Sequence, residues 1–71
     1  MSSRTLRRHL GADVIVNLCD GDERALRGTL HAVTRDDVTL REVTVLPVKG
    51  GSQLDGLAVI PLANVSWVQV I

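Results

Sequence analysis

Residues 14–40 read VIVNLCDGDERALRGTLHAVTRDDVTL, and this stretch decides the fold. Val14, Val16 and Leu18 alternate with Ile15, Asn17 and Cys19, a period of two dominated by β-branched residues, as expected of a strand with a buried face. Asp20-Gly21-Asp22-Glu23 supplies a hairpin turn, with Gly21 free to take positive φ. A second strand runs from about Arg24 to Thr34, with Leu26, Gly28, Leu30 and Ala32 on one face and Arg27, Thr29, His31 and Val33 on the other. A glycine inside a strand marks a bend, a bulge or a close backbone approach, and a strongly bent strand is what closes a small barrel.

Outward from this stretch, Ser3 to Leu10 reads as a short helix. Ser2 or Ser3 caps it, Leu6 and Leu10 share one face, and Gly11 ends it. Arg7 and Arg8 then turn away from the docked face. After the turn Arg35-Asp36-Asp37 a third strand begins near Val38. Its apolar phase slips between Val38/Leu40 and Val43/Val45, which places a bulge near Arg41-Glu42. Pro47 to Ser52 is a loop by composition, Leu57 to Leu62 a fourth strand ending at Pro61, Leu62-Ala63-Asn64 a tight connection, and Val65 to Ile71 a fifth strand. The expected fold is mostly β: an N-terminal helix over residues 1–11, then a five-stranded, strongly bent antiparallel SH3-like barrel over 13–71, in one domain.

The chain has 71 residues, a size at which a lone hydrophobic core leaves little net stability. Cys19 is the single cysteine, so no disulfide within the chain helps, and no Cys/His spacing suggests a structural zinc. Association with further copies is the remaining common route. Hydrophobic residues make up 45% of the chain and charged residues 23%, which argues for a folded domain over a disordered tail. The basic start has no apolar run behind it, so neither a secretory signal nor a membrane span is expected, and a cytoplasmic setting follows by default. The formal net charge is zero. That weighs against strong non-specific binding to nucleic acid, while leaving room for a local patch at Arg4, Arg7 and Arg8.

The order of strand, tight turn, glycine-bent strand, acidic turn and strand resembles the Sm-like small β-barrels, over nearly the whole chain. Val14, Val16, Leu18, Asp20, Gly21, Gly28, Leu30, Val38 and Leu40 echo the first Sm motif, and Val59, Ile60, Asn64, Val65 and Val68 the second. The resemblance implies a ring of copies and, in many members, RNA binding. The motif departs from the RNA-binding pattern where a base would be held. Thr34 stands near an expected aspartate, Asp37 near an expected asparagine, and Pro61-Leu62 replace an arginine-glycine pair. Nor does the chain carry the Lys-His element of the Hfq group, Ile60 to Asn64 standing there instead. A weaker likeness links Gly28 to Leu40 with the C-terminal small barrel of bacterial ribosome maturation factors.

No catalytic constellation is apparent. His9 and His31 have no partner spacing for a metal, Cys19 has no evident base, and Asp36-Asp37 and Asp20-Asp22-Glu23 read first as turn formers. Gly50-Gly51-Ser52 after Lys49 lacks the glycine spacing of a phosphate loop. The chain is therefore read as non-enzymatic, with no cofactor, metal, membrane or small-molecule substrate. Arg4, Arg7, Arg8, Arg35 and Asp37, with Arg27 beside them, are the candidates for contacting RNA, the plainer reading being a solvated basic surface. Leu57, Val59, Trp67, Val68 and Val70 are the candidates for an interface between copies. Trp67, the sole aromatic residue, suits a core or interface first and stacking on a base second. The expected function is a homo-oligomeric ring that binds RNA. The alternative is a structural or protein-binding module of a larger assembly.

Overall fold

The computed structural model describes residues 3–19, 24–46 and 53–71. The turn expected at 20–23, the loop expected at 47–52 and the cap at Ser2 lie outside them. A short helix, α1 (Ser3–Arg7), precedes five strands: β1 (Asp13–Leu18), β2 (Ala25–Val33), β3 (Asp37–Leu46), β4 (Gln53–Pro61) and β5 (Val65–Val70). A 3-10 turn, Leu62–Asn64, joins the last two. The strands form one antiparallel sheet in the order β4-β3-β2-β1-β5, so β4 and β5 are its edges. The expected class holds, with the sheet strongly bent and its two edge strands unpaired with each other.

The core sits inside the bend. Leu30, Leu40, Val14, Val16, Val38 and Val43 are its largest fully buried side chains, with Leu6, Val33, Ile60 and Val65 around them. Each such burial is worth about 1.5–3 kcal/mol, so this cluster is the main favourable term. Leu6 is the only apolar anchor of α1. The helix is shorter than its pattern suggested: it ends at Arg7, and Leu10, expected beside Leu6, is 50% exposed. The reason lies in the connection. Gly11, at φ 88°, donates its N–H to the Leu30 carbonyl at 2.8 Å, and the Leu30 N–H donates to Ala12 at 2.9 Å. These bonds stitch residues 11 and 12 to β2 and leave no room for another helical turn.

Strand β2 also departs from simple alternation. Its pairing with β3 shifts between Arg27 and Thr29 and again between Leu30 and Ala32. Leu30 is buried as expected, but Val33, assigned to the opposite face, is buried too, and Ala32 only half so. Thr29, assigned to the same face as Val33, is buried as well, with its hydroxyl donating to Asp13 Oδ1 at 3.1 Å. The bulge expected at Arg41-Glu42 is present: Glu42 has φ 54°, and the β3–β4 register shifts there.

Gly28 lies opposite that irregularity. A Cβ built on it would sit 2.8 Å from the Arg41 carbonyl oxygen and 3.3 Å from Leu40 Cβ. The contact is with backbone, which cannot swing aside, so the absent side chain is what lets β2 and β3 press together. Gly28→Val is expected to lower stability by about 1–3 kcal/mol through overpacking. A fall in the urea midpoint with unchanged slope, at fixed protein concentration, measures it; an unchanged midpoint would show that the close approach is dispensable.

Candidate functional site

Two groups of residues bear on function. The first surrounds the turn between β2 and β3. Thr34 organises it: its hydroxyl oxygen accepts from the Asp37 N–H at 2.9 Å and the Asp36 N–H at 3.2 Å, and its own N–H donates to the Asp37 carbonyl at 2.9 Å. This is a side-chain-to-backbone turn of the kind Ser, Thr, Asn and Asp form readily. The turn is then held to the far end of β4, because the Leu62 N–H donates to the Asp36 carbonyl at 2.8 Å and Asp37 pairs with Pro61. Thr34, Asp36, Asp37, Pro61 and Leu62 thus meet at one place, as the two motifs of the sequence require.

What they offer there is limited. The Thr34 hydroxyl and the Asp36 carbonyl are engaged within the turn, and an ionised aspartate accepts hydrogen bonds but donates none. A base pocket needs donors and a stacking surface; this turn presents no stacking surface, and its one side-chain donor group left exposed is the Arg35 guanidinium.

Positive charge lies beside it. The Arg7 Nε–H donates to the Val33 carbonyl at 3.2 Å, which brings α1 to the end of β2, two residues from Arg35. Arg4, Arg7, Arg8 and Arg35 are all exposed. The expectation that Arg7 turns away from the docked face needs one amendment: its guanidinium also ties the helix to β2. Arg27 sits earlier on β2, opposite Ile15 and Thr44, and does not join this group.

The second group lies on the edge strands. Leu57 and Val59 on β4 are 56% and 62% exposed, and Trp67 on β5 is 53% exposed, so the indole is not a core residue of a single chain. Val70 is exposed, whereas Val68 is half-buried against the core. Between α1 and β5 lies a notch of about 150 Å³ lined by Thr5, Leu6, His9, Val68 and Val70. Around Trp67, on the other side of β5, a shallow depression is lined by Asn17, Leu18, Arg24 and Ser66. No local pattern marks this grouping, because three strand ends contribute to it.

A wider open hollow beside the β3 bulge is lined by Arg41, Glu42, Gln53, Leu54, Asp55, Gly56 and Leu57. It holds no nucleophile with a base. Cys19 is exposed, with its N–H donating to the Asn64 carbonyl at 2.8 Å. Among the described residues no cluster of His, Cys, Asp or Glu could hold a metal ion, and no helix is long and apolar enough to cross a membrane.

No sequence-family profile and no curated protein matches the chain. Solved structures do match its fold. A heptameric archaeal Sm protein superposes with a TM-score of 0.77 at 23% identity, over 96% of this chain and 97% of that one. An LSm protein from Methanococcus vannielii gives 0.79 at 20% identity, over 94% and 90%. A chain of the NatC complex, solved bound to CoA, gives 0.71 at 28% identity, over 93% and 83%. The fold is that of the Sm-like proteins.

Thr34→Val keeps the shape of the side chain and removes its oxygen. It is expected to cost about 1 kcal/mol, the usual net worth of such bonds at an exposed site, and to speed hydrogen exchange at the Asp36 and Asp37 amides selectively. Unaltered exchange at both would mean that the turn is held from β4 alone.

Proposed function

We propose that the chain is a non-enzymatic Sm-like subunit that assembles through β4 and β5 into a closed homo-oligomeric ring, and that the ring binds RNA. One observation carries the assembly: among the described residues, the large apolar side chains that stay exposed are Leu54, Leu57 and Val59 on β4, Trp67 and Val70 on β5, Ile71 just after it, and otherwise only Leu10. These strands also carry the unpaired backbone edges. Joining β4 of one copy to β5 of the next satisfies both needs at once.

The faces agree as well. Val14 and Val16 pair with Val70 and Val68 on the core side, while Ile15 and Asn17 pair with Gln69 and Trp67 on the outward side. On β4, Ala58 and Ile60 oppose core residues Leu40 and Val38, leaving Leu57 and Val59 outward. A neighbour's β4 laid along β5 would continue both faces, its inward side chains covering the notch beside Leu6 and His9. Head-to-tail contacts of this kind close into a ring when the rotation per copy permits.

For RNA, the support is a set of exposed arginines: Arg4, Arg7 and Arg8 on and just after α1, and Arg35 two residues beyond the Val33 carbonyl that Arg7 bonds. Repeated around a ring they would sum to a strong local potential despite zero net charge. A second reading, a subunit of a larger protein assembly that binds no RNA, is supported by the likeness to a chain of the NatC complex and by the internally engaged turn at Thr34.

Light scattering tests the ring. The expected mass is a discrete multiple of the 7.7 kDa chain, constant over a wide concentration range; a monomer throughout would refute it. Leu57→Asp or Val59→Asp should reduce the mass to that of the single chain, because an unpaired carboxylate buried between copies costs several kcal/mol. Electrophoretic titration with U-rich and A-rich RNA at two salt concentrations separates the two readings. A shift at physiological salt is expected, with a salt slope shallower by about 1 per subunit contact for Arg4→Ala or Arg8→Ala, whereas no shift would favour the protein-binding module.

A further inference from the structure

Of the residues that line the notch between α1 and β5, namely Thr5, Leu6, His9, Val68 and Val70, only His9 can change its charge near neutral pH. It is half-buried there. The turn after α1 fixes its place: its N–H donates to the Leu6 carbonyl at 2.9 Å, and its carbonyl accepts from the Ala12 N–H at 3.0 Å. The backbone of β5 indicates what comes to lie over it. The Ile71 N–H donates to the Asp13 carbonyl at 3.0 Å, and along an antiparallel pair hydrogen-bonded and non-hydrogen-bonded residues alternate. Val70 and Val68, opposite Val14 and Val16, therefore turn their N–H and C=O groups to the open edge of the sheet. The two residues of β5 that line the notch are the ones that bond an added strand.

We propose that His9 is a pH-sensitive joint between copies: covered and neutral in the ring, it loosens the ring when it takes up a proton. This rests on the reading that β4 of one copy joins β5 of the next. From Leu57 to Pro61, β4 reads LAVIP, so either of its side-chain rows lays only apolar groups on the notch. Such a cover strips water from the imidazole, which costs the charged form far more than the neutral one. The neutral imidazole keeps a partner within reach of its own segment, since the Thr5 hydroxyl, four residues back in the same lining, both donates and accepts.

The other charged and titratable groups on the packed elements are few. Arg4 and Arg8 are exposed on and just after α1, and β5 carries no charged residue. On β1 the Asp13 carboxylate accepts from the Thr29 hydroxyl, and on β2 His31 is exposed. Leu18, Ala25, Leu46 and Gln53, which flank residues 20–23 and 47–52, lie toward the other end of the sheet, where Ala25 pairs with Asn17 and with Leu46. On the neighbouring copy, Asp55 is the one acidic residue of β4, beyond Gly56 at φ 82°, and Glu42 lies beside it at the bulge. With apolar groups over His9, the single chain binds more protons than the ring. By linkage, assembly then strengthens as pH rises and weakens as pH falls through the histidine range.

The full chain is sized by light scattering across a urea series at about pH 7.5 and about pH 5.5, and the midpoint of mass loss is read. The assembly constant is expected to fall about tenfold per interface from the higher pH to the lower, as each imidazole takes up a proton, and the midpoint falls with it. His9→Gln should hold its midpoint, His9→Leu should assemble as firmly at the lower pH as at the higher, and His31→Gln should show the native fall. Equal native midpoints, or the same fall in His9→Gln, overturn the joint while leaving the ring intact. So does a higher midpoint at the lower pH, which would place a carboxylate such as Asp55 against the imidazole. A single-chain mass without urea at both pH values overturns the ring and the joint together.

Discussion

The structure depends on the contact between β2 and β3 at Gly28. Only a residue without a side chain lets the Arg41 carbonyl come as near as it does, and the neighbouring strand answers with Glu42 in the left-handed region and a shifted β4 register. Glycine at 28 and a bulge at 42 are therefore one device, a sharp bend carried across three adjacent strands. Antiparallel pairing sets the end of β4 against the start of β3, where the Leu62 N–H donates to the Asp36 carbonyl. From there a three-residue 3-10 turn suffices to reach the end of β1, where the Cys19 N–H meets the Asn64 carbonyl. Both ends of a five-stranded sheet are thus linked by almost no chain.

The same bend creates the edges. With the core enclosed by all five strands, β4 and β5 have each used one backbone side, and among the described residues no strand remains to cover the other. Edge strands that must stay solitary commonly carry lysine, inward charges or proline. Strand β4 has Asp55 and a terminal Pro61, and β5 has no charged residue at all. A chain of this size gains from such edges, because strand addition supplies the burial that a small core lacks. On the proposed assembly, fold stability and ring formation are one problem with one solution.

Much of this was legible in the sequence because it rests on local chemistry. Alternating valines, Gly28, the slip between Leu40 and Val43, and Pro61 each act within a few residues, and the strands and the bulge follow from them. What failed to show depends on contacts distant in sequence. The bonds joining Gly11 and Ala12 to Leu30 cut α1 short and expose Leu10. The second register shift in β2 buries Val33 against expectation. Of the candidate site, the meeting of Asp37 with Pro61 and Leu62 was readable from motif order, but the service of Thr34 as the turn's acceptor and the grouping of Asn17, Arg24, Ser66 and Trp67 were not. Period-two patterns assign faces, and they say nothing about which strand ends a bend will bring side by side.

The placement of polar groups suggests how such a chain distributes its tasks. At the turn, Thr34 and the Asp36 peptide are spent on holding β2, β3 and β4 together, so the position gains rigidity and loses donors. Exposed guanidinium groups lie on α1 and at Arg35, and the lone indole on the outward face of β5. Guanidinium and indole read charge and π surface, both of which every nucleotide has, whereas amides and guanidinium groups in a closed pocket read base edges. On the RNA-binding reading proposed above, a chain with these residues holds nucleic acid with little base selectivity and marked sensitivity to salt. With no net charge to lend affinity at a distance, its binding would rest on repetition of the same few contacts around the assembly.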